Sequence, residues 1–269
     1  MQTLASSLRT SHVVGEEIIL PWRKLQEVLS LHTKELVIVG GAPSSGKSVF
    51  ATNLAMSLSE PVLYLAQDSS PSIIARLAAL ATHRDIAEVF DSLRDPDELE
   101  EVAASLHGKR PLLAIQIGPQ PVDRIAVLVE AATEWLGYPP PVVIIDNIIN
   151  LLVEGYHHQD GGFYATALPV LQQVAGEYNT CIIALHHVTR RGGHNGAVLL
   201  PTSPLHLMDL LHAGEREAEH VLGIFHDSHK TRINIQILKQ RDGEADSGGG
   251  LRIPMLWNPP DGRLSQWIY

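Results

Sequence analysis

Eight residues constrain this chain more than any others: Gly41-Ala42-Pro43-Ser44-Ser45-Gly46-Lys47-Ser48, between an apolar run and a helical one. A G-x-x-x-x-G-K-[ST] pattern that follows a strand and opens a helix is a phosphate cradle. Its glycines let backbone N–H groups converge on phosphate oxygens, and the helix N-terminus adds a favourable dipole. Lys47 supplies a point charge to the β- and γ-phosphates, and Ser48 offers a hydroxyl to Mg²⁺. Gly41, Ala42, Pro43, Ser44, Ser45, Gly46, Lys47, Ser48 and Val49 are the residues expected to hold ATP.

Around this loop the pattern alternates. Short β-rich apolar runs are predicted at 36–40, 62–66, 112–117, 142–146 and 181–185. Helical stretches fall at 47–59, 71–82, 96–106, 121–135 and 164–178, the third with Asp95 as cap, Pro96 at its first position and Glu98 completing a capping box. Near-continuous apolar strands alternating with helices predict a parallel sheet covered on both faces. Past residue 185 three further strands are expected at 221–225, 233–239 and 251–256. The last two flank a Gly-rich hairpin connection at 240–250. The fold class is therefore α/β, a mostly parallel central sheet flanked by helices, with a C-terminal antiparallel β extension. Residues 1–30 read as a lead-in with one amphipathic helix near 22–29, and 31–269 as a single ATPase domain.

The second half of the phosphate site is Val142-Val143-Ile144-Ile145-Asp146, a buried strand ending in a carboxylate. An acid there can hold the magnesium shell together with Ser48. A single cysteine, Cys181, cannot form an internal disulfide, and no apolar run is long enough to span a bilayer, so a cytoplasmic protein with no membrane partner is expected. The net charge of −10 argues against a broad basic face for duplex DNA, though not against a narrow channel. His157-His158 and His186-His187 are adjacent pairs, a spacing that chelates poorly on a strand, so no zinc is expected.

Five motifs in order resemble the RecA-like core of DnaB-type replicative helicases. Residues 35–55, ELVIVGGAPSSGKSVFATNLA, match the first. Val62-Leu63-Tyr64-Leu65-Ala66-Gln67-Asp68 aligns with the strand ending in that family's catalytic glutamate, and Arg76 with the arginine of the following helix. Asp146-Asn147-Ile148-Ile149-Asn150-Leu151 resembles the Walker B segment, and Ala184-Leu185-His186-His187-Val188-Thr189-Arg190 the third motif, where a glutamine usually senses the γ-phosphate. Lys239-Gln240-Arg241-Asp242-Gly243 resembles the last motif, whose lysine and arginine reach the ATP of a neighbouring subunit. The resemblance spans residues 18–267. It implies that Lys47, Asp68, Asp146, His187, Lys239 and Arg241 carry catalysis, and that Arg76 contacts the nucleotide. It also implies a homo-oligomeric ring, a hexamer, moving on single-stranded DNA.

Three departures bear on mechanism. Asp68 is one methylene shorter than the glutamate it replaces, and His187 stands at the sensor glutamine. The run at 209–214 has Leu211 where arginine is usual. Two loops are candidates for DNA: 154–163, with Tyr156 and Phe163 able to stack, and 190–200, where Arg190, Arg191, Gly192 and Gly193 could present charge and N–H groups to phosphates. Two other readings share the ATP site, a recombination or annealing ATPase and an assembly protein controlled by ATP without turnover.

Overall fold

The computed structural model describes residues 15–68, 71–188, 198–210 and 216–266. The first motif's strand is β3 (Leu36–Gly41), preceded by a two-stranded ribbon of β1 (Glu17–Ile18) and β2 (Leu31–His32) around the short helix α1 (Arg23–Gln26). Next come α2 (Lys47–Ser57), β4 (Val62–Ala66), α3 (Ser72–Thr82), α4 (Ile86–Ser92), α5 (Pro96–Lys109) and β5 (Leu113–Ile117). The chain continues through α6 (Ile125–Leu136), β6 (Val142–Asp146), α7 (Gly161–Glu177) and β7 (Cys181–His187). It ends in β8 (His220–His226), β9 (Arg232–Lys239), β10 (Arg252–Asn258) and β11 (Arg263–Gln266).

One nine-stranded sheet runs β11-β10-β9-β8-β3-β7-β6-β4-β5. Its strands are parallel from β8 through β5, so the C-terminal ends of β3, β4, β6 and β7 share one rim. The antiparallel extension begins one strand later than expected: β8 pairs parallel with β3, and β9, β10 and β11 are antiparallel. Period 2 divides the interior, because successive side chains of a strand leave by opposite faces. Val37 and Val39 join a core with α2 and the C-terminal strands, whereas Leu36 and Ile38 join one with α6 and α7.

Two local expectations change, the length of the lead-in helix and the capping box of α5, and other features are new. The helix near 22–29 shrinks to four residues. The described part of the lead-in packs on its own chain: Ile18, Leu20, Trp22, Leu25, Leu29 and Leu31 enter the core of Val37 and Val39. Asp95 caps α5 by accepting from the N–H groups of Asp97 (2.9 Å) and Glu98 (3.4 Å), while the Glu98 carboxylate lies 3.7 Å from Arg84. Two unexpected elements are α4, only seven residues long, and β11, which follows the turn Pro259-Pro260-Asp261-Gly262 with Gly262 at φ +71°.

Trp22 is 5% exposed and its ring centroid lies 5.6 Å from that of Phe50 on α2, the helix that the P-loop opens. Trp22→Ala is expected to cost about 3–5 kcal/mol in chemical denaturation, the range for deleting a buried indole. A loss below about 1 kcal/mol would show that the lead-in contributes little to the core.

Candidate nucleotide site

The rim of parallel strands gathers the site. Gly46 caps α2 with φ +104°, a left-handed conformation that disfavours side chains, and a Cβ there would stand 2.6 Å from Ile233 Cδ1. Lys47 is only 5% exposed, and its ammonium donates to the carbonyls of Gly41 (2.9 Å) and Ala42 (3.0 Å), with His187 Nδ1 3.4 Å away. Burial pulls this ammonium down to about 8, against the upward pull of Asp146. At pH 7 it is still mainly charged.

Asp146 ends β6 and is 4% exposed. Its two oxygens are held separately: Ser48 Oγ donates to Oδ1 at 3.2 Å and Tyr64 OH donates to Oδ2 at 2.8 Å. Burial raises its pKa, and the Tyr64 and Ser48 bonds with the charges of Lys47 and Arg76 oppose that rise. A hydroxyl and an oriented carboxylate, both hard oxygen donors, fit the one or two protein ligands that magnesium usually accepts beside phosphates and water.

The strand β7 sends its two histidines to opposite faces. His186 lies in the core with its ring 4.9 Å from Tyr164, and His187 faces Lys47. Burial, then the Lys47 charge, pushes the His187 imidazole down to about 4. Its Nε2 lies 3.1 Å from the side-chain amide of Asn147.

A cleft of about 360 Å³ lies above these groups, lined by the loop from Ser44 to Val49, by Arg76 and His187, and by Ile86, Lys230, Trp257 and Pro259. The structure thus brings Lys47, Ser48, Asp146, His187 and Arg76 together. Asp68 is exposed past the end of β4 and lines a separate cleft with Gln67, Asn150, Tyr156 and His157. Lys239 and Arg241 are elsewhere. Lys239 donates to the Ala218 carbonyl at 2.6 Å, and Arg241, past the end of β9, stands 3.5 Å from Glu219. Glu219 in turn accepts from the N–H of Leu36, the first residue of β3. The P-loop leaves the other end of that strand, about 16 Å away. Of the DNA candidates, Tyr156 is 48% exposed, but Phe163 is buried edge-on to Tyr164 and cannot stack on a base. Arg190, Arg191, Gly192 and Gly193 lie outside the described residues, as does Leu211.

Sequence reasoning missed Tyr64, Asn147 and the Trp257 wall. For Tyr64 a signal existed, since a tyrosine amid buried aliphatics on a parallel strand needs a partner for its hydroxyl. Trp257 gave none, because its arrival depends on how β10 folds back along β9.

Such a rim, with a lysine-bearing loop, a strand-end carboxylate and a facing histidine, defines a P-loop nucleotide-binding core. Residues 21–193 match the AAA_25 family, described as an AAA domain, and the chain belongs to that family. Two curated relatives are named Gene 65 protein. That of Mycobacterium phage L5 is 24% identical over 93% of this chain and 92% of its own. That of Mycobacterium phage D29 is 25% identical over 80% and 91%. Among solved structures, the ATPase domain of G40P superposes with a TM-score of 0.73 at 16% identity, covering 93% of this chain and 91% of that one. A DnaB-like replicative helicase, solved in a study of its interactions with primase, gives 0.75 at 17% identity, over 100% and 68%. The fold is that of a DnaB-type RecA-like ATPase core. Among the described residues no helix is long and apolar enough to cross a membrane.

Replacing Tyr64 by Phe keeps the ring and removes one donor from a buried carboxylate. Loss of such a bond is worth about 1–2 kcal/mol. The variant is expected to fold normally and to need about 5–30-fold more Mg²⁺ for half-maximal nucleotide binding or turnover. An unchanged magnesium requirement would remove Tyr64 from the site.

Proposed function

We propose that this chain is the subunit of a ring-shaped ATPase, a hexamer, that hydrolyses ATP between subunits and moves on single-stranded DNA, separating strands. The observation that carries this reading is the separation of the two halves of the chemistry. Lys47, Ser48 and His187 line one cleft, with Asp146 bonded to Ser48, whereas Lys239 and Arg241 lie by Glu219, about the length of β3 away. No arginine side chain spans that distance, so Arg241 can serve a phosphate site only on a neighbouring copy. Its side chain is 67% exposed, as such a role requires.

In this reading Lys47 and the loop amides bind the phosphates, and Arg76 adds charge on the α3 side. Ser48 and Asp146 would hold Mg²⁺, which when bound neutralises charge on the β- and γ-oxygens. Asp68 orients the attacking water, and Arg241 of the neighbouring subunit stabilises the charge that develops in transfer, a role suited to a planar guanidinium. Tyr156 and the residues at 190–193 would face the DNA strand. The DNA role and the ring draw on the DnaB-like resemblance. The position of Asp68, exposed and off the P-loop cleft, favours one competing reading, an assembly protein that binds ATP with little turnover.

Steady-state ATP hydrolysis with and without single-stranded DNA, on the wild type and on Arg241→Ala, separates the two. A DNA-stimulated rate that falls by about 10³-fold in the variant, the scale of an arginine finger, supports the motor. ATP binding with negligible turnover in both conditions sinks it and leaves the assembly protein.

A further inference from the structure

His187 has a lysine on one side and an asparagine on the other, and the two contacts constrain each other. A neutral imidazole carries one N–H and one lone pair. An ammonium has only donors, so the ring nitrogen facing Lys47 at 3.4 Å, Nδ1, must present its lone pair. The ring proton then sits on Nε2. Nε2 faces the Asn147 amide at 3.1 Å, and that contact is a hydrogen bond only if an acceptor stands there. Asn147 Oδ1 is buried without a hydrogen-bond partner. Half a turn of the amide about its last torsion brings Oδ1 to Nε2 and places Nδ2 where Oδ1 was. Only this orientation avoids setting a donor against a donor at Lys47.

We infer that Asn147, His187 and Lys47 form one directed relay, in which Lys47 donates to His187 Nδ1 and His187 Nε2–H donates to Asn147 Oδ1. The relay rests on reading Lys47 as the phosphate lysine, and it changes the part expected of His187. A ring whose only proton is committed to Asn147 has no N–H for a γ-phosphate oxygen. His187 therefore acts on the phosphate through Lys47, as the third acceptor beside the Gly41 and Ala42 carbonyls, and Asn147 is the positioning residue that fixes the ring. The low affinity of the ring for a second proton, with burial as the larger cause and Lys47 as the smaller, agrees with a neutral imidazole at pH 7. Asn147 directly follows Asp146, so the same strand end orients both the carboxylate and the histidine.

The test is the tautomer. Long-range ¹H–¹⁵N correlation spectra of the full chain, labelled at histidine and free of nucleotide at pH 7, would be compared with those of His187→Gln to identify the ring. The expected result is Nε2 protonated, Nδ1 unprotonated, and an Nε2–H proton protected from exchange. In Asn147→Leu that proton should lose its protection, while in Asn147→Asp it should remain and shift downfield. A wild-type ring protonated on Nδ1, or on both nitrogens, overturns the relay. So does an Nε2–H whose exchange is unchanged in Asn147→Leu. The first of these needs no variant to fold. Because the spectra are taken without ATP or DNA, a failed relay and a failed motor are told apart.

Discussion

A lysine with only 5% of its surface exposed is costly unless its ammonium is satisfied, and the architecture around Lys47 is arranged to do this. Two carbonyls of its own loop and the His187 ring provide acceptors, and Asp146 provides a counter-charge. The acceptors come from the C-terminal end of β3 and the end of β7, which are adjacent parallel strands. The carboxylate comes from the end of β6, the strand beyond. A parallel sheet is what brings these ends to one rim, and a lysine held there among acceptors is ready to exchange some of them for phosphate oxygens.

The same strand direction separates the remaining chemistry. β9 runs antiparallel to β8, entering beside the P-loop, where Ile233 packs close to Gly46, and leaving toward the opposite edge. Lys239 and Arg241 are thereby carried to Ala218 and Glu219. Glu219 is 8% exposed and ties this corner to Leu36 and, through Gln172, to α7. The chain therefore presents the P-loop cleft at one place and the exposed Arg241 guanidinium at another. In the proposed reading the two surfaces meet on neighbouring copies, which is a head-to-tail contact.

Most of this was legible in residues. Strands 62–66 and 142–146 are found with the bounds their apolar runs predict, because a strand buried on both faces leaves a short uninterrupted apolar signature. The P-loop residues and Asp146 converge as their places at strand ends imply, and His187 and Arg76 join them as the DnaB-like resemblance implies. What was not legible depends on long-range packing. Phe163 reads as a free aromatic in a loop, yet the chain turns into α7 there and buries it. The parallel pairing of β8 hinges on a crossover from β7 that leaves no local mark. Asn147 looks like an ordinary turn residue until His187 arrives from elsewhere in the sequence, and Tyr64 shows that its hydroxyl needs a partner but not that the partner is Asp146.

The claim on which the rest turns is that one complete hydrolytic site needs two subunits. It is tested by mixing Lys47→Ala protein, which has an intact Arg241, with Arg241→Ala protein, which has an intact P-loop. Each alone should be nearly inactive in ATP hydrolysis. The account predicts that the mixture regains activity, highest near equal proportions, because some interfaces then join an intact P-loop to an intact arginine. Mixed oligomers that form, as shown by co-purification of differently tagged copies, yet recover no activity at any ratio would contradict it.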